Sequence, residues 1–243
     1  MKTSASFFAV VASLMPTLTM GFVSAPWVIP NIPKNGLQDI IFPFSIADAP
    51  HKEGFYFRQQ FAFNGRAEPA YTGLQPRPDD ANGKPIINAA LASFMPGTTS
   101  ADSNCLPAND GRPGVRCSVD FSGPYDHVYN IEVRNTKGTT WNGTLVDAVT
   151  GQRVHVGSFT LPAGTGGIVG ARDGFIEYFK WADGMTCAEL PKTTIVFGTP
   201  KTMTHGAGAG SVGTAFDYGD CLGVSGFKEQ KTALGTQVTV GLA

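Results

Sequence analysis

The chain has 243 residues, of which 42% are hydrophobic and 15% are charged, and its formal net charge is −1. Charges of both signs are scattered, which argues against a basic stripe for nucleic acid and against a polybasic patch for a lipid surface. The composition therefore indicates a neutral partner, and the length suits one large all-β domain.

The N-terminal segment has the pattern of a secretory signal peptide. Lys2 precedes an apolar run that ends in small residues at Ala25. Pro16 interrupts this run and weakens the alternative, a membrane anchor of ~20 apolar residues. We therefore predict a signal peptide over residues 1–25 and a single β-sandwich domain over 26–243. The mature protein is expected to be secreted, extracellular, free of the membrane and monomeric.

Strands dominate the predicted secondary structure. The chain contains 30 glycines and 17 prolines, and few windows carry an apolar stripe at the helical period of 3.6. Short alternating runs bounded by turn residues predict strands instead. In chain order these are 39–46, 54–64, 70–76, 86–95, 115–121, 126–135, 139–148, 153–161, 174–180, 193–197 and 237–242. Such a series without helices predicts an all-β fold made of two packed antiparallel sheets, a β-sandwich or jelly roll, with a closed barrel as the alternative.

The run GFYFRQQFAFN, residues 54–64, predicts which of its side chains are buried. Four phenylalanines share one face of this strand: Phe55, Phe57, Phe61 and Phe63. Only Gln59 interrupts that face. Burying each ring between two sheets contributes ~1.5–3 kcal/mol. The other face, which carries Tyr56, Arg58 and Gln60, is therefore expected to point outward.

The four cysteines indicate two disulfides in an oxidising compartment. The nearest-neighbour scheme pairs them as Cys105–Cys117 and Cys187–Cys221. Zinc binding is the alternative, but no CxxC or paired His-Cys spacing occurs, so we expect no metal. The G-x-G-x-x-G match at 208–213 is not followed by a helix, so we expect no dinucleotide and no other cofactor. A sequon predicts a glycan on Asn142.

Long polar and aromatic side chains on the predicted outward faces suit a sugar ligand. Aromatic rings stack on the apolar faces of sugars, and planar polar groups bind pairs of hydroxyls. The residues predicted to contact a polysaccharide or other glycan are Tyr56, Arg58, Gln60, Gln75, Glu132, Arg134, Trp141, Glu177 and Trp181. The alternative is an ordinary solvated sheet face with cross-strand ion pairs. The first hypothesis is therefore a secreted carbohydrate-binding β-sandwich.

The stretch GFIEYFKWADG leaves the direction of Glu177 open. If Phe175 and Phe179 face inward, Glu177 is buried with them and needs a partner such as Arg58, because an unpaired buried carboxylate is costly. The opposite orientation places Glu177 and Trp181 in an outer groove, and we favour it.

Two enzymatic hypotheses use the same residues. Glycoside hydrolysis needs two carboxylates, ~5–5.5 Å apart for retention or ~6.5–9.5 Å apart for inversion, and Glu132 with Glu177 would supply them. β-Elimination of an acidic polysaccharide would use Tyr178 as the base and Arg58 to neutralise the uronate. The YFK run that begins at Tyr178 resembles an element of alginate-lyase-type jelly rolls, although the other strands of that pattern are missing. A further hypothesis is a secreted effector that binds a host protein.

Several segments together resemble a known family in their order. They are AYTGLQPR (70–77), NAALASF (88–94), the Cys105–Cys117 loop, YNIEVRN (129–135), TTWNGTLVDAVTGQRVHVGSFTLP (139–162) and GFIEYF (174–179). This order is similar to that of an uncharacterised domain family of secreted microbial proteins, over residues 54–200. The resemblance implies a concanavalin-A-like β-sandwich and a connection to carbohydrate, and it transfers no catalytic residue.

Overall fold

The regular secondary structure of the described residues consists of strands and two single-turn 3₁₀ helices, at Cys187–Glu189 and Gly219–Cys221. A computed structural model describes residues 20–108, 112–181 and 184–242. The strands are β1 (Met20–Val28), β2 (Asp39–Ser45), β3 (Phe55–Ala62), β4 (Pro69–Pro76), β5 (Ile86–Ser93), β6 (Cys105–Pro107), β7 (Val115–Ser122), β8 (Val128–Lys137), β9 (Thr140–Asp147), β10 (Arg153–Thr160), β11 (Ala171–Tyr178), β12 (Thr193–Gly198), β13 (Ser211–Val212), β14 (Phe216–Asp217), β15 (Lys228–Lys231) and β16 (Gly235–Val240). In this part of the chain no helix has the length and apolar character needed to cross a bilayer.

The strands form two antiparallel sheets. The first sheet has the order β13, β1, β11, β3, β4, β5, β7, β6, with β14 also beside β1. The second has the order β10, β9, β8, β2, β12, β16, β15. The predicted all-β, two-sheet antiparallel sandwich is therefore confirmed. Each of the eleven predicted strands is present, and β8, β9 and β10 form successive hairpins.

Strand β1 lies within the segment predicted to be a signal peptide. It pairs with β11 from the Met20–Tyr178 partners to the Val28–Ala171 partners. Phe22 is buried in the core. A cleavage after Ala25 would therefore divide a strand that belongs to the first sheet.

The phenylalanine face of β3 is buried between the sheets as expected. Four rings have no exposed surface: Phe55, Phe57, Phe61 and Phe63. Phe61 contacts Phe42 of the second sheet at 6.4 Å between ring centroids. Phe63 contacts Trp141 at 4.9 Å. Because each residue of a strand points opposite to its neighbours, the side chains of Tyr56 and Arg58 project from the outer face of the first sheet.

Two aromatic residues predicted at the outer surface lie in the core instead. Trp141 is 1% exposed, because its face of β9 points toward the first sheet. Tyr178 is 9% exposed, and its ring packs against Phe55 at 5.0 Å. The predictions of Trp141 as a stacking platform and of Tyr178 as a base are therefore wrong, since neither ring reaches an open surface.

Both predicted disulfides are present. Cys105–Cys117 joins β6 to β7 at directly opposed positions, and Cys187–Cys221 joins the two 3₁₀ helices. Two such bonds are typical of proteins from an oxidising compartment.

Candidate active site on the outer face of the first sheet

A polar row of side chains crosses the outer face of the first sheet. Glu177 of β11 is the register partner of Tyr56 on β3. The register of β3 with β4 continues this row to Gln75, which is the partner of Asn88 on β5. Four neighbouring strands therefore bring an acid, a phenol and two carboxamides into one line.

A second row, of small residues, lies beside the polar row. Gly73 of β4 is the partner of Ala90 on β5, and Ala90 is the partner of Ser118 on β7. Because these side chains are short, they leave a cavity of about 340 Å³ above the sheet. Its walls include Tyr56, Gln75, Asn88, Phe94, Arg116, Glu177 and Phe179. The cavity is therefore lined by both apolar rings and polar groups, as ligand sites usually are.

Glu177 lies at the wall of this cavity and is nearly enclosed by protein, with 4% of its surface exposed. The Arg58 Nη2 atom is 2.5 Å from the Glu177 Oε1 atom, and only 17% of the Arg58 side chain is exposed. A buried carboxylate without a partner would be strongly destabilising, and Arg58 supplies that partner. Glu177 thus combines two predicted features, since it faces outward and is paired with Arg58.

The surroundings of Glu177 alter its acid–base behaviour. Burial raises the pKa of Glu177, and the guanidinium groups of Arg58 and Arg112 oppose this effect only in part. Burial also raises the pKa of Tyr56, and it raises the pKa of Tyr218 to about 12. The phenols therefore stay protonated at ordinary pH, whereas the Glu177 carboxyl exchanges its proton at a higher pH than an exposed glutamate does.

A continuous series of rings and guanidinium groups runs parallel to the polar row, and we call it the aromatic–cation ladder. Its members, in order across the sheet, are Phe216, Tyr218, Phe175, Arg58, Tyr71, Phe94 and Arg112. Every neighbouring pair lies within 6.5 Å, and the closest contact is that of the Arg58 guanidinium with the Tyr71 ring, at 4.1 Å. A cation within ~6 Å of a ring face is attracted by the ring quadrupole. The ladder thus holds Arg58 from both sides.

Other predicted site residues lie on the second sheet. The Glu132 Oε2 atom is 2.7 Å from Arg153 Nη2 and 3.3 Å from Arg134 Nε, on the outer face of β8. Stacked sheets are ~10 Å apart, and Glu132 and Glu177 point away from each other on opposite outer faces. Their carboxyls are therefore too far apart for the ~9.5 Å limit of glycoside hydrolysis, and the prediction that they act as a pair is wrong.

The remaining predicted residues are spread over the molecule. Gln60 is on the outer face of β3 opposite Tyr71. Trp181 follows the end of β11 and packs, half-buried, against the core. The Asn142 Nδ2 atom donates a hydrogen bond to Thr144 Oγ1 at 3.0 Å on β9, and its glycosylation stays a prediction. Of the predicted set, only Tyr56, Arg58, Gln75 and Glu177 meet at one place.

Sequence reasoning missed several residues of this site. The outer face of β5, with Asn88 and Ala90, gave no signal because alanines alternate there with other small or apolar residues. Tyr218 reaches the site from a segment about 40 residues beyond β11, and no local sequence pattern predicts its contact with Phe175. The signal that could have located the site is in β4, where Tyr71 and Gln75 lie on the same face of the strand.

Comparisons with known proteins concern the fold alone. No family model and no curated protein matches the chain. Matching solved structures include scytalido-glutamic peptidase with a transition-state analogue inhibitor (12% identity, TM-score 0.47) and with a peptide-based transition-state analogue (14% identity, TM-score 0.48). A third is SCP-B, a member of the Eqolisin family of peptidases, in complex with the tripeptide Ala-Ile-His (12% identity, TM-score 0.45). Each match covers 93% of this chain and 100% of the other chain. A likeness at this level assigns no role to any residue of this chain.

The predicted carbohydrate-binding function is wrong. The three solved structures named above are described as peptidases, and none of the three is described as a carbohydrate-binding or polysaccharide-degrading protein. The arrangement of the residues agrees with this correction, because Trp141 is buried in the core and Glu132 lies on the opposite sheet from Glu177. The predicted sugar surface is therefore divided between two faces and the interior.

Proposed function

We propose that this chain hydrolyses amide bonds of polypeptides at the cavity on the outer face of the first sheet. The observation that carries the proposal is the position of Glu177. Its carboxyl is nearly buried, has a raised pKa and lies at the wall of an open cavity. Titratable groups with such perturbed behaviour cluster at catalytic sites, because proton transfer is most efficient when the pKa lies near the working pH.

Glu177 would act first as a general base and then as a general acid. In the first step its carboxylate takes a proton from a water molecule while the water oxygen bonds to the amide carbon. In the second step the protonated carboxyl gives that proton to the amide nitrogen as the carbon–nitrogen bond breaks. The products are a carboxylic acid and an amine, and Glu177 returns to its starting state.

Gln75 is the group best placed to stabilise the oxygen of the tetrahedral intermediate. It lies in the same row as Glu177 and two strand spacings away, so the two Cα atoms are ~10 Å apart. Side chains that lean toward each other over Tyr56 can both reach one carbonyl group between them. A carboxamide N–H that donates to a developing oxyanion lowers the barrier by a few kcal/mol.

The decisive experiment compares two glutamate variants on a library of quenched fluorescent peptides between pH 2 and 8. Glu177→Gln is expected to lower the rate at least ~100-fold, because a positioned acid–base group contributes that much or more. Glu132→Gln is the matched control, since it removes an ion-paired acid from the other sheet. Thermal unfolding of both variants checks that each is folded. Retained hydrolysis in folded Glu177→Gln, or no hydrolysis of any peptide by the wild type, would overturn the proposal.

We further propose that the protein acts outside the cell. The basic residue and apolar run at the N-terminus support export, and the two disulfides support an oxidising compartment. Two measurements test this proposal. The protein should be found in the culture medium, and its cysteines should not react with thiol reagents. Retention inside the cell with free thiols would contradict it.

A further inference from the structure

We propose that Arg58 is a positioning residue, which fixes the orientation of the Glu177 carboxyl and opposes its protonation, and that the aromatic–cation ladder holds Arg58 in place. The use of this arrangement in catalysis depends on the proposed function. The arrangement itself does not, because it follows from contacts within the first sheet.

The residues that flank Arg58 on the two neighbouring strands restrict the direction of its side chain. On β11 its register partner is Phe175, and on β4 its partner is Gly73, which has no side chain. The guanidinium therefore extends between two rings, 4.1 Å from the Tyr71 centroid and 5.1 Å from the Phe175 centroid. Rings on both sides restrict the guanidinium plane, and this restriction directs Nη2 at the Glu177 carboxylate.

The rings are themselves held by further contacts. Phe94 packs against Tyr71 at 5.5 Å, and Arg112 lies over Phe94 at 5.4 Å. On the other side Tyr218 packs against Phe175 at 6.4 Å. Displacing Arg58 would therefore require several packed groups to move together. Such support is what a precisely placed catalytic group needs.

Two opposing influences set the protonation of Glu177. Enclosure by protein favours the neutral acid, while the cation in contact with it favours the carboxylate. Of the described groups around this carboxyl, Arg58 forms the ion pair and Arg112 acts from farther away. The other titratable groups nearby are the phenols of Tyr56, Tyr71 and Tyr218, and Asp173, which accepts a hydrogen bond from Ser24. The guanidinium groups of Arg77 and Arg116 line the same cavity as Glu177.

Removing the charge of Arg58 should therefore leave the effect of burial opposed only by the more distant Arg112. Direct titration of Glu177 by NMR of ¹³C-labelled glutamate carboxyls measures this, with the Glu177→Gln spectrum identifying the signal. Arg58→Met is expected to raise the titration midpoint of Glu177 by about 1 pH unit or more, a tenfold change in the protonation equilibrium. Arg153→Met removes the guanidinium that pairs with Glu132 on the other sheet and is the matched control, so the Glu177 midpoint should not move.

A second variant keeps the charge and weakens the support. Phe175→Leu retains Arg58 and Glu177 but removes one ring of the ladder, and it remains informative if Arg58→Met does not fold. It is expected to raise the Glu177 midpoint by less than Arg58→Met does, and Arg58→Lys is expected to lie between Arg58→Met and the wild type. A wild-type midpoint in folded Arg58→Met, or in folded Phe175→Leu, would overturn the inference.

The same experiment separates this inference from the proposed function. If the midpoint moves but no peptide is hydrolysed, Arg58 controls Glu177 and the hydrolase proposal fails. If peptides are hydrolysed but the midpoint does not move, the hydrolase proposal stands and the inference about Arg58 fails. If both hold, the pH of half-maximal hydrolysis should shift in the same direction as the NMR midpoint.

Discussion

Removal of residues 20–25 should severely destabilise the protein. This is the change that a signal cleavage after Ala25 would produce. It deletes six of the nine residues of β1, which pair with β11 between Tyr178 and Gly174 and include the two that pair with β14. The strand that carries Glu177 would lose its neighbour along that length.

The magnitude follows from the burial of the deleted side chains. Phe22 is 1% exposed, and Val23 and Ala25 are 0% exposed. Loss of the Phe22 and Val23 side chains from the core costs ~1.5–3 kcal/mol each, or ~3–6 kcal/mol together. Lost backbone hydrogen bonds to β11 add to this. Typical domains are stable by only ~5–15 kcal/mol, so a chain that starts at Pro26 should be close to unfolded.

Urea denaturation of two recombinant chains, 20–243 and 26–243, measures this difference. The longer chain should unfold cooperatively, and the shorter should have a far lower midpoint or be insoluble. N-terminal sequencing of exported protein should find a start at or before Met20. An exported protein that starts at Pro26 and is as stable as the longer chain would refute the role assigned to β1.

Three further predictions concern stability. Gln59 is 1% exposed and neither of its amide atoms has a partner among the described residues, so Gln59→Leu should raise the free energy of unfolding by ~1–3 kcal/mol in urea; a decrease would indicate that the amide is satisfied after all. The Cys187–Cys221 bond spans a sequence separation of 34, so a double serine variant should lose about 4 kcal/mol in the same assay, and an unchanged midpoint would contradict this. Although burial alone would raise it, hydrogen bonds from His127 and from the backbone of Val149 hold the pKa of Asp147 at about 2. Its stabilising contribution is therefore present above the ordinary aspartate value and is lost as pH falls toward about 2, so melting temperatures of Asp147→Asn should vary less with pH in this window than those of the wild type.

The strands were predictable wherever polar and apolar residues alternate. β3 shows this best, because its phenylalanine face could only be inward. The sequence of β1 predicts a leader instead, because residues 22–25 are buried on both faces of the sheet and their apolar run has no alternation, as in a leader. Short strands such as β13 and β15 have too few residues to show a period.

The site was only partly predictable, because alternation does not reveal which sheet a strand joins. β8 and β11 both carry a glutamate among aromatic or apolar residues, and the sequence alone suggested that Glu132 and Glu177 share a surface. Pairing settles the question, since β8 lies beside β2 and β9 while β11 lies beside β1 and β3. Such long-range pairing leaves no mark on either strand by itself.

The face on which Glu177 lies depends on the register of β11, and the sequence of β11 does not determine it. Both faces of β11 are aromatic, so a shift by one residue would exchange Glu177 with Tyr178 at little cost in burial. Gly54, which precedes β3, favours the observed register of β11. A Cβ atom on Gly54 would lie 2.3 Å from the Tyr178 ring, so the ring occupies space that only glycine leaves free. Tyr178 is thereby held inward, and Glu177, its neighbour in the chain, must point to the cavity and to Arg58. A glycine just before β3 thus helps to fix the position of an acid on another strand.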